Sequence, residues 1–267
     1  MPWTPSGIVT LLTDFGLRDS YVGTMRAVLL SRCPELRHIV DLTHGIPPQD
    51  VVAGAYQWAQ AWSYFPSGTV HVAVVDPGVG SDRRALVAGD AGHAFIAPDN
   101  GLLAAVLGEE ARVFEIDLER LSLPVVSRTF HGRDVFAPAA AALAGGTPPE
   151  QLGAEVSFSG RSPLPKFKRD EATGALTGEI QSVDHFGNLI SSLPVDALAG
   201  ADSRIGWHLS VCGRTVSLVG TYSEAEPGEP LALVNSAGFL EIAIRGGSAA
   251  TFFNCGVGEP IKMEISR

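Results

Sequence analysis

Apolar positions along this chain keep two different rhythms. Up to Ser157, short runs of β-branched and aliphatic residues alternate with segments whose apolar residues recur at helical spacing. Ile8 to Leu12 is a β-rich run that stops at Thr13-Asp14-Phe15-Gly16, and Tyr21 to Leu30 then keeps helical spacing behind Asp19 and Ser20 as capping residues. His38 to Leu42 and Asp50 to Tyr64 repeat the strand and the helix across a turn-rich loop, Thr43 to Gln49. Val70 to Val75 is the third strand. Ala85 to Ala88 and His93 to Ala97 follow as strands around the turn Gly89 to Gly92, then Gly101 to Leu107 as a short helix and Arg112 to Ile116 as a strand. Val135 to Ala144 is an alanine-rich helix stopped by Gly145-Gly146.

Beyond Gly174 the helical spacing disappears. Leu176 to Val183, Leu189 to Leu193, Trp207 to Val211, Thr215 to Val219, Leu231 to Val234, Phe239 to Ile244 and Ile261 to Ile265 are strand-like runs separated by Gly, Asn, Asp and Ser turns. Between the two regions, Ser159 to Gly174 carries Pro163, Pro165 and several charges without a steady apolar period, the composition of a linker. The expected architecture is an α/β N-terminal domain (residues 1–158) with a mostly parallel sheet flanked by helices. The linker (159–174) then leads to a smaller all-β, barrel-like C-terminal domain (175–267).

Composition narrows the function. An apolar fraction of 45% with 18% charged residues suits packed globular domains, and no apolar run is long enough to span a membrane. The N-terminus lacks a basic segment ahead of a long hydrophobic one, so a soluble, unexported, cytoplasmic protein is expected. With 19 basic against 29 acidic residues the formal charge is −10, which disfavours nucleic acid and favours a neutral or cationic small ligand. Cys33, Cys212 and Cys255 are odd in number and widely spaced. They indicate neither a disulfide framework nor a zinc site, and buried, unreactive thiols are expected.

Candidate chemistry gathers at the loop ends of the first domain. His71 to Arg84 runs from a buried strand into Asp76-Pro77-Gly78-Val79-Gly80 and then into Arg83 and Arg84. A carboxylate, a permissive loop and a guanidinium therefore meet at a strand end, where ligands collect in open α/β sheets. Asp14 follows the first strand in the same way, and His131 sits in a Gly-containing turn before a helix. Each also has an ordinary reading: Asp14 and Asp76 as turn caps, Arg83 as the partner of Asp82 or Asp90, His131 as a satisfier of backbone groups. In the second domain Asp184-His185-Phe186-Gly187-Asn188 and Asn235-Ser236-Ala237-Gly238 stand out, and both suit plain hairpin turns as well. His38, His44, His71, His93 and His208 have no partners at metal-ligand spacing, and no P-loop, GxGxxG, HExxH or GxSxG motif is present.

Five segments taken together resemble one family. Leu11 to Gly16 (LLTDFG), Val74 to Arg84 (VVDPGVGSDRR), Ala97 to Gly101 (APDNG), Thr129 to Pro138 (TFHGRDVFAP) and Asp184 to Ile190 (DHFGNLI) are similar, in order and through both domains, to the S-adenosylmethionine hydroxide adenosyltransferases. These are relatives of the enzymes that fluorinate or chlorinate the same substrate. The resemblance implies hydrolysis of S-adenosylmethionine to adenosine and methionine by water or hydroxide attacking the 5′ carbon. It implies no metal and no cofactor beyond the substrate, and a homotrimer whose sites lie between the N-terminal domain of one subunit and the C-terminal domain of the next. It places the family's catalytic Asp, Arg and His on Asp76, Arg83 and His131. Asp14 matches the residue on the ribose hydroxyls, Asp184 the acid near the methionine amino group, Asn188 the adenine-contacting amide and Ser236 a contact to the methionine end. Phe186 belongs with the substrate-binding turn, Tyr222 takes the place of an aromatic wall and Ala249 that of a backbone contact to adenine.

In the fluorinating relatives the position of Asp76 is a tyrosine and that of Val79 a fluoride-holding threonine. A halide facing Asp76 in a desolvated pocket would meet Coulomb repulsion on the order of several kcal/mol, so water is the expected nucleophile. A halogenase, chlorinating above all, and a non-catalytic binder of S-adenosylmethionine or adenosine are the two alternatives.

Overall fold

Strand β1 (Ile8–Thr13) alternates Val9 and Leu11 on one face with Thr10 and Leu12 on the other, and none of the four is exposed to solvent. A strand buried on both faces requires a layer of structure on each side. The computed structural model, which describes residues 3–121, 127–158, 160–198 and 207–265, supplies both layers. The chain divides into two units, Met1–Pro163 and Leu164–Arg267.

In the first unit β1 is followed by α1 (Tyr21–Arg32), β2 (His38–Thr43), α2 (Val51–Ala61), β3 (Val70–Val74), β4 (Ala85–Asp90), β5 (His93–Pro98), β6 (Arg112–Ile116), α3 (Ala137–Ala144) and β7 (Gly153–Glu155). The sheet order is β2-β1-β3-β5-β4-β6-β7. The first four of these strands are mutually parallel, and β4, β6 and β7 extend the sheet by antiparallel pairing. Parallel β1 and β3 end at the same edge, and so Asp14 and Asp76, one and two residues past them, emerge together.

One face of the sheet packs Val9, Leu11, Val70, Val72 and Val74 against Met25 and Leu29 of α1 and the almost wholly buried α3. Alanines contribute little area each, and α3 serves by close approach rather than by bulk. On the other face Trp58 of α2 stands edge-on to Phe95, their ring centroids 5.8 Å apart. Asp50 caps α2 by accepting the Ala53 amide at 2.9 Å, whereas Ser20 precedes α1 without a side-chain cap. Gly101 to Leu107 forms a single 3-10 turn, Leu103–Ala105, in place of the expected short helix.

The second unit contains β8 (Lys168–Arg169), β9 (Leu176–Val183), β10 (Leu189–Pro194), β11 (Trp207–Val211), β12 (Arg214–Ser217), β13 (Pro230–Val234), β14 (Phe239–Ile244), α4 (Ala249–Phe253) and β15 (Pro260–Ile265). The antiparallel order is β12-β11-β15-β9-β10-β14-β13, with β8 beside β9. A parallel bridge from Leu218 to Ala232 joins the two end strands, which makes the sheet a nearly closed barrel. Leu176, Ile180, Leu209, Leu240, Ile242 and Met263 fill its inside. Within the segment read as a linker, Lys168 and Arg169 are strand and pair with β9; Ser159 lies outside the described residues.

One expectation is overturned. Cys212 and Cys255 form a disulfide with a Cα separation of 6.6 Å, Cys212 is exposed, and only Cys33 is a buried free thiol. Cys212 and Gly213, both at positive φ, make the two-residue turn of the β11–β12 hairpin, while Cys255 follows α4 just past the left-handed Asn254. A separation of 43 residues concealed that meeting from any spacing rule. Among the described residues no helix is long and apolar enough to cross a membrane.

Candidate active site

The loop after β3 is short enough to fold back on itself. The Val79 amide donates to the Asp76 carbonyl at 3.2 Å, and the Ser81 amide and hydroxyl donate to the Gly78 carbonyl at 3.1 and 2.6 Å. Gly80, at φ 80°, has the Arg128 carbonyl where a Cβ would stand, and any side chain would force the loop apart. This turn brings Arg83 round to Asp76.

Arg83 Nε donates to Asp76 Oδ1 at 3.0 Å, and Nη2 donates to Asp76 Oδ2, a two-point grip on the carboxylate. The two side chains are only 9% and 5% exposed, so the pair is held in a largely dehydrated setting. Arg83 Nη2 also lies 2.7 Å from His131 Nδ1. A guanidinium has no acceptor, so His131 must accept through Nδ1, which puts its ring proton on Nε2 and leaves the ring neutral. Burial first, and the Arg83 charge second, push the His131 pKa below the ordinary imidazole value, in agreement with that tautomer. The Arg83 guanidinium stacks over the Phe136 ring, 5.4 Å from its centroid, in the π-helical turn Gly132–Phe136 that leads from His131 into α3. Of the partners considered for Arg83 from the sequence, Asp82 and Asp90, neither is used.

Asp76 and His131 line a cleft of about 610 Å3 together with Asp14, Phe15, Tyr21, Gln49, Val79, Phe130 and Arg133. That volume suits a small organic ligand. Asp14 does not join the Asp76–Arg83–His131 chain; its Oδ2 accepts the Gln49 amide at 2.8 Å, where Gln49 is itself at φ 68°. The loop carrying Asp14 is anchored from beneath. Thr13 Oγ1 accepts the Phe15 amide at 3.2 Å and lies 2.8 Å from His44 Nδ1, and the His44 carbonyl accepts the Gly16 amide at 2.8 Å. Phe15, Tyr21 and Phe130 form a ring cluster with centroids 5.1 to 5.9 Å apart, Phe130 edge-to-face with the other two, an apolar wall for the same cleft.

The second unit gathers its own set. Asp184 Oδ1 accepts the amides of Phe186 and Asn188 at 2.9 and 2.8 Å, and Oδ2 accepts Asn188 Nδ2 at 2.9 Å. Gly187, at φ 82°, leaves room for Ser248, whose side chain would collide with a Cβ there. Its carbonyl accepts the Ala250 amide at 2.9 Å. The start of α4, with buried Ala249 and the Ser248 cap, is thereby fastened to the Asp184–Asn188 turn. Phe186 is 75% exposed, a ring with no place in the core. Ser236 lies exposed in the turn held by Asn235, whose Oδ1 accepts the Ala237 and Phe239 amides, both at 3.0 Å. Tyr222 donates its hydroxyl to Glu241 Oε1 at 2.6 Å.

Sequence reasoning passed over Glu241, although a lone carboxylate inside the run Phe239-Leu240-Glu241-Ile242-Ala243-Ile244 was a readable signal. It also passed over the His44–Thr13 anchor, for which the sequence holds no cue.

Known proteins match over both units. The SAM hydroxide adenosyltransferase N-terminal domain matches residues 9–153 and the C-terminal domain of the same name matches residues 178–262. The chain is 42% identical to a protein of Thermus thermophilus named (R)-S-adenosyl-L-methionine hydrolase, over 96% of this chain and 98% of that one. It is 39% identical to a protein of the same name from Salinispora tropica, over 97% and 98%. A protein of Actinopolyspora mzabensis named fluorinase is more distant, at 27% identity over 97% of each chain. Among solved structures, an uncharacterized conserved protein from Thermotoga maritima superimposes with a TM-score of 0.85 at 34% identity, covering 96% of this chain and 99% of that one.

Proposed function

The chain belongs to the SAM hydroxide adenosyltransferase family, and from that premise we propose that it is an enzyme hydrolysing (R)-S-adenosyl-L-methionine to adenosine and L-methionine, with Asp76, Arg83 and His131 as its catalytic residues. The observation that carries the assignment of residues is the continuous contact from a dehydrated carboxylate through Arg83 to a neutral histidine, the carboxylate and the histidine both lining a ligand-sized cleft.

The substrate's sulfonium already makes methionine a neutral leaving group, and no acid is needed at sulfur. The task that remains is to hold a water in line with the 5′ carbon. Asp76, its carboxylate fixed by Arg83, accepts a hydrogen bond from that water and takes its proton as the new oxygen–carbon bond forms. The carbon–sulfur bond breaks at the same time and its electron pair stays on sulfur. His131, with its proton on Nε2, donates to the attacking oxygen and fixes the line of approach. No metal or further cofactor enters this reading.

Substrate contacts follow the family pattern. Asp14 takes the ribose hydroxyls, Asp184 and Ser236 the methionine end, Asn188 and the Ala249 backbone the adenine, with Phe186 and Tyr222 as aromatic walls. Two half-sites of this kind fit a homotrimer in which neighbouring subunits complete each other's sites, and dissociated subunits are then inactive. A carboxylate at position 76 and an apolar Val79 favour water over halide. Incubating the purified protein with S-adenosylmethionine, with and without chloride, and separating the products tests the reading. Adenosine and methionine in equal amounts under both conditions are expected. A halogenated nucleoside that forms only with chloride would contradict hydrolysis, and unconsumed substrate would make the protein a binder.

A further inference from the structure

Strand β14 alternates in register with the barrel: Leu240, Ile242 and Ile244 turn inward, and Glu241 and Ala243 turn outward. Outward residues of a barrel strand are ordinarily exposed, yet Glu241 is only 3% exposed. The cover is the segment after β12, whose Val219 and Ala225 pack on Leu231, Leu233 and Ala243 of β13 and β14. Tyr222 belongs to that cover, and its hydroxyl is bonded to Glu241.

Asn235, the residue whose Oδ1 ties the turn carrying Ser236, stands beside Glu241 where β13 ends, next to Val234, which pairs with Leu240. The third neighbour of Glu241 is Asp184, close enough for the two charges to repel. One buried carboxylate therefore touches or faces three loops, those bearing Tyr222, Ser236 and Asp184. Among the described residues no lysine, arginine or histidine forms an ion pair with it. A buried carboxylate with only neutral donors is costly, and a glutamine could accept the tyrosine's hydrogen bond without that cost. Burial, and then the charge on Asp184, raise the Glu241 pKa while Tyr222 and Asn235 lower it. The hydrogen bonds alone do not explain why an ionisable residue stands here.

We infer that Glu241 is a positioning residue for the methionine end of the substrate, holding the Tyr222 and Ser236 loops around Asp184 and keeping negative charge where a cationic ammonium group is received. The inference rests on the hydrolase reading above and adds to it a residue with no place in that scheme. It acts through Tyr222 and Asn235, not by touching the reacting atoms.

The test is Glu241→Gln beside the wild type, with steady-state kinetics on S-adenosylmethionine and calorimetric binding of adenosine, which lacks the methionine end. The expected result is a KM raised about tenfold, because the glutamine still accepts the tyrosine's hydrogen bond but removes the negative charge that faces the ammonium group. The kcat and the adenosine Kd should stay within about twofold, since the variant leaves the reacting atoms and the adenine contacts alone. An unchanged KM, or equal weakening of adenosine, would overturn the inference and leave Glu241 a structural residue. Should Glu241→Gln not fold, Tyr222→Phe takes away the hydroxyl that holds the Glu241 carboxylate, working from the exposed side. The ring stays in place and only the hydroxyl goes, so a raised KM for S-adenosylmethionine is the expected readout, and an unchanged KM counts equally against the inference. A wild-type protein that forms no adenosine sinks the hydrolase reading itself, an outcome distinct from a working wild type with an indifferent Glu241→Gln.

Discussion

Replacing Asp76 with asparagine removes one charge and almost no volume. Asp76 and Arg83 are 5% and 9% exposed, so the change leaves a guanidinium with little water and half its former grip. Breaking a buried ion pair by deleting one partner costs about 3–5 kcal/mol. The asparagine carbonyl still accepts one Arg83 hydrogen bond, and Arg83 keeps Phe136 and the Arg84 carbonyl, which brings the expected loss to about 2–4 kcal/mol. For a unit of this size that is a fall in Tm of roughly 5–15 °C, and assays well below the new midpoint are on folded protein. The chemical effect should be larger than the structural one. Losing the group that accepts the water's proton slows turnover by about 100- to 10,000-fold, or about 3–5 kcal/mol in the barrier. Substrate affinity should change by less than about threefold, because in the proposed mechanism the carboxylate faces the nucleophile and not the bound cation. The assay is adenosine release at saturating S-adenosylmethionine, with calorimetric binding beside it. A kcat within about threefold of wild type would remove Asp76 from the mechanism.

Three further outcomes are expected. Asn188→Ala takes away the amide whose Nδ2 is tied to Asp184, and the Kd for adenosine should rise about tenfold; an unchanged Kd contradicts its place in the adenine contact. Burial, then the neighbouring His93, holds His71 at a pKa of about 3 in the folded protein against about 6.5 unfolded, so the unfolded chain takes up a proton that the native one refuses. The stability this represents is present above pH 6.5 and drains away as pH falls toward 3; His71→Gln should flatten the urea-measured slope in that window by about 1.4 kcal/mol per pH unit, and an unaltered slope would count against the buried neutral histidine. Reducing the Cys212–Cys255 bond frees a loop closed over 43 residues and should lower the stability of the second unit by up to about 4 kcal/mol, seen as a lower calorimetric transition with reductant; an identical transition would mean the bond does not hold the folded state.

The division into an α/β half and a β half was readable because period 3.6 and period 2 differ plainly in the apolar residues. Strand ends were readable too, since Thr13-Asp14-Phe15-Gly16 and Asp76-Pro77-Gly78 interrupt apolar runs. Pairing was not. Nothing local distinguishes Asp76 from Asp82 or Asp90 as the partner of Arg83; the choice is made by a turn whose tightness depends on Gly80 meeting the Arg128 carbonyl. His131 lies 48 residues from Arg83, and only the packing of α3 on the sheet brings it there. The family resemblance supplied that triad before any geometry did. Cys212 and Cys255 show the converse, two residues whose spacing carries no pattern and whose meeting depends on the β11–β12 turn lying beside the end of α4. Glu241 was legible and passed over, and a single charge in an apolar strand carries no local sign of whether it is buried.

The central claim is that water, placed by Asp76 and His131, attacks the 5′ carbon directly. Turnover of S-adenosylmethionine in oxygen-18 water, with mass analysis of both products, addresses it without reference to any variant. The account predicts adenosine carrying the heavy oxygen at its 5′ position and methionine carrying none. Unlabelled adenosine, or a 5′-halogenated nucleoside in its place, would contradict it.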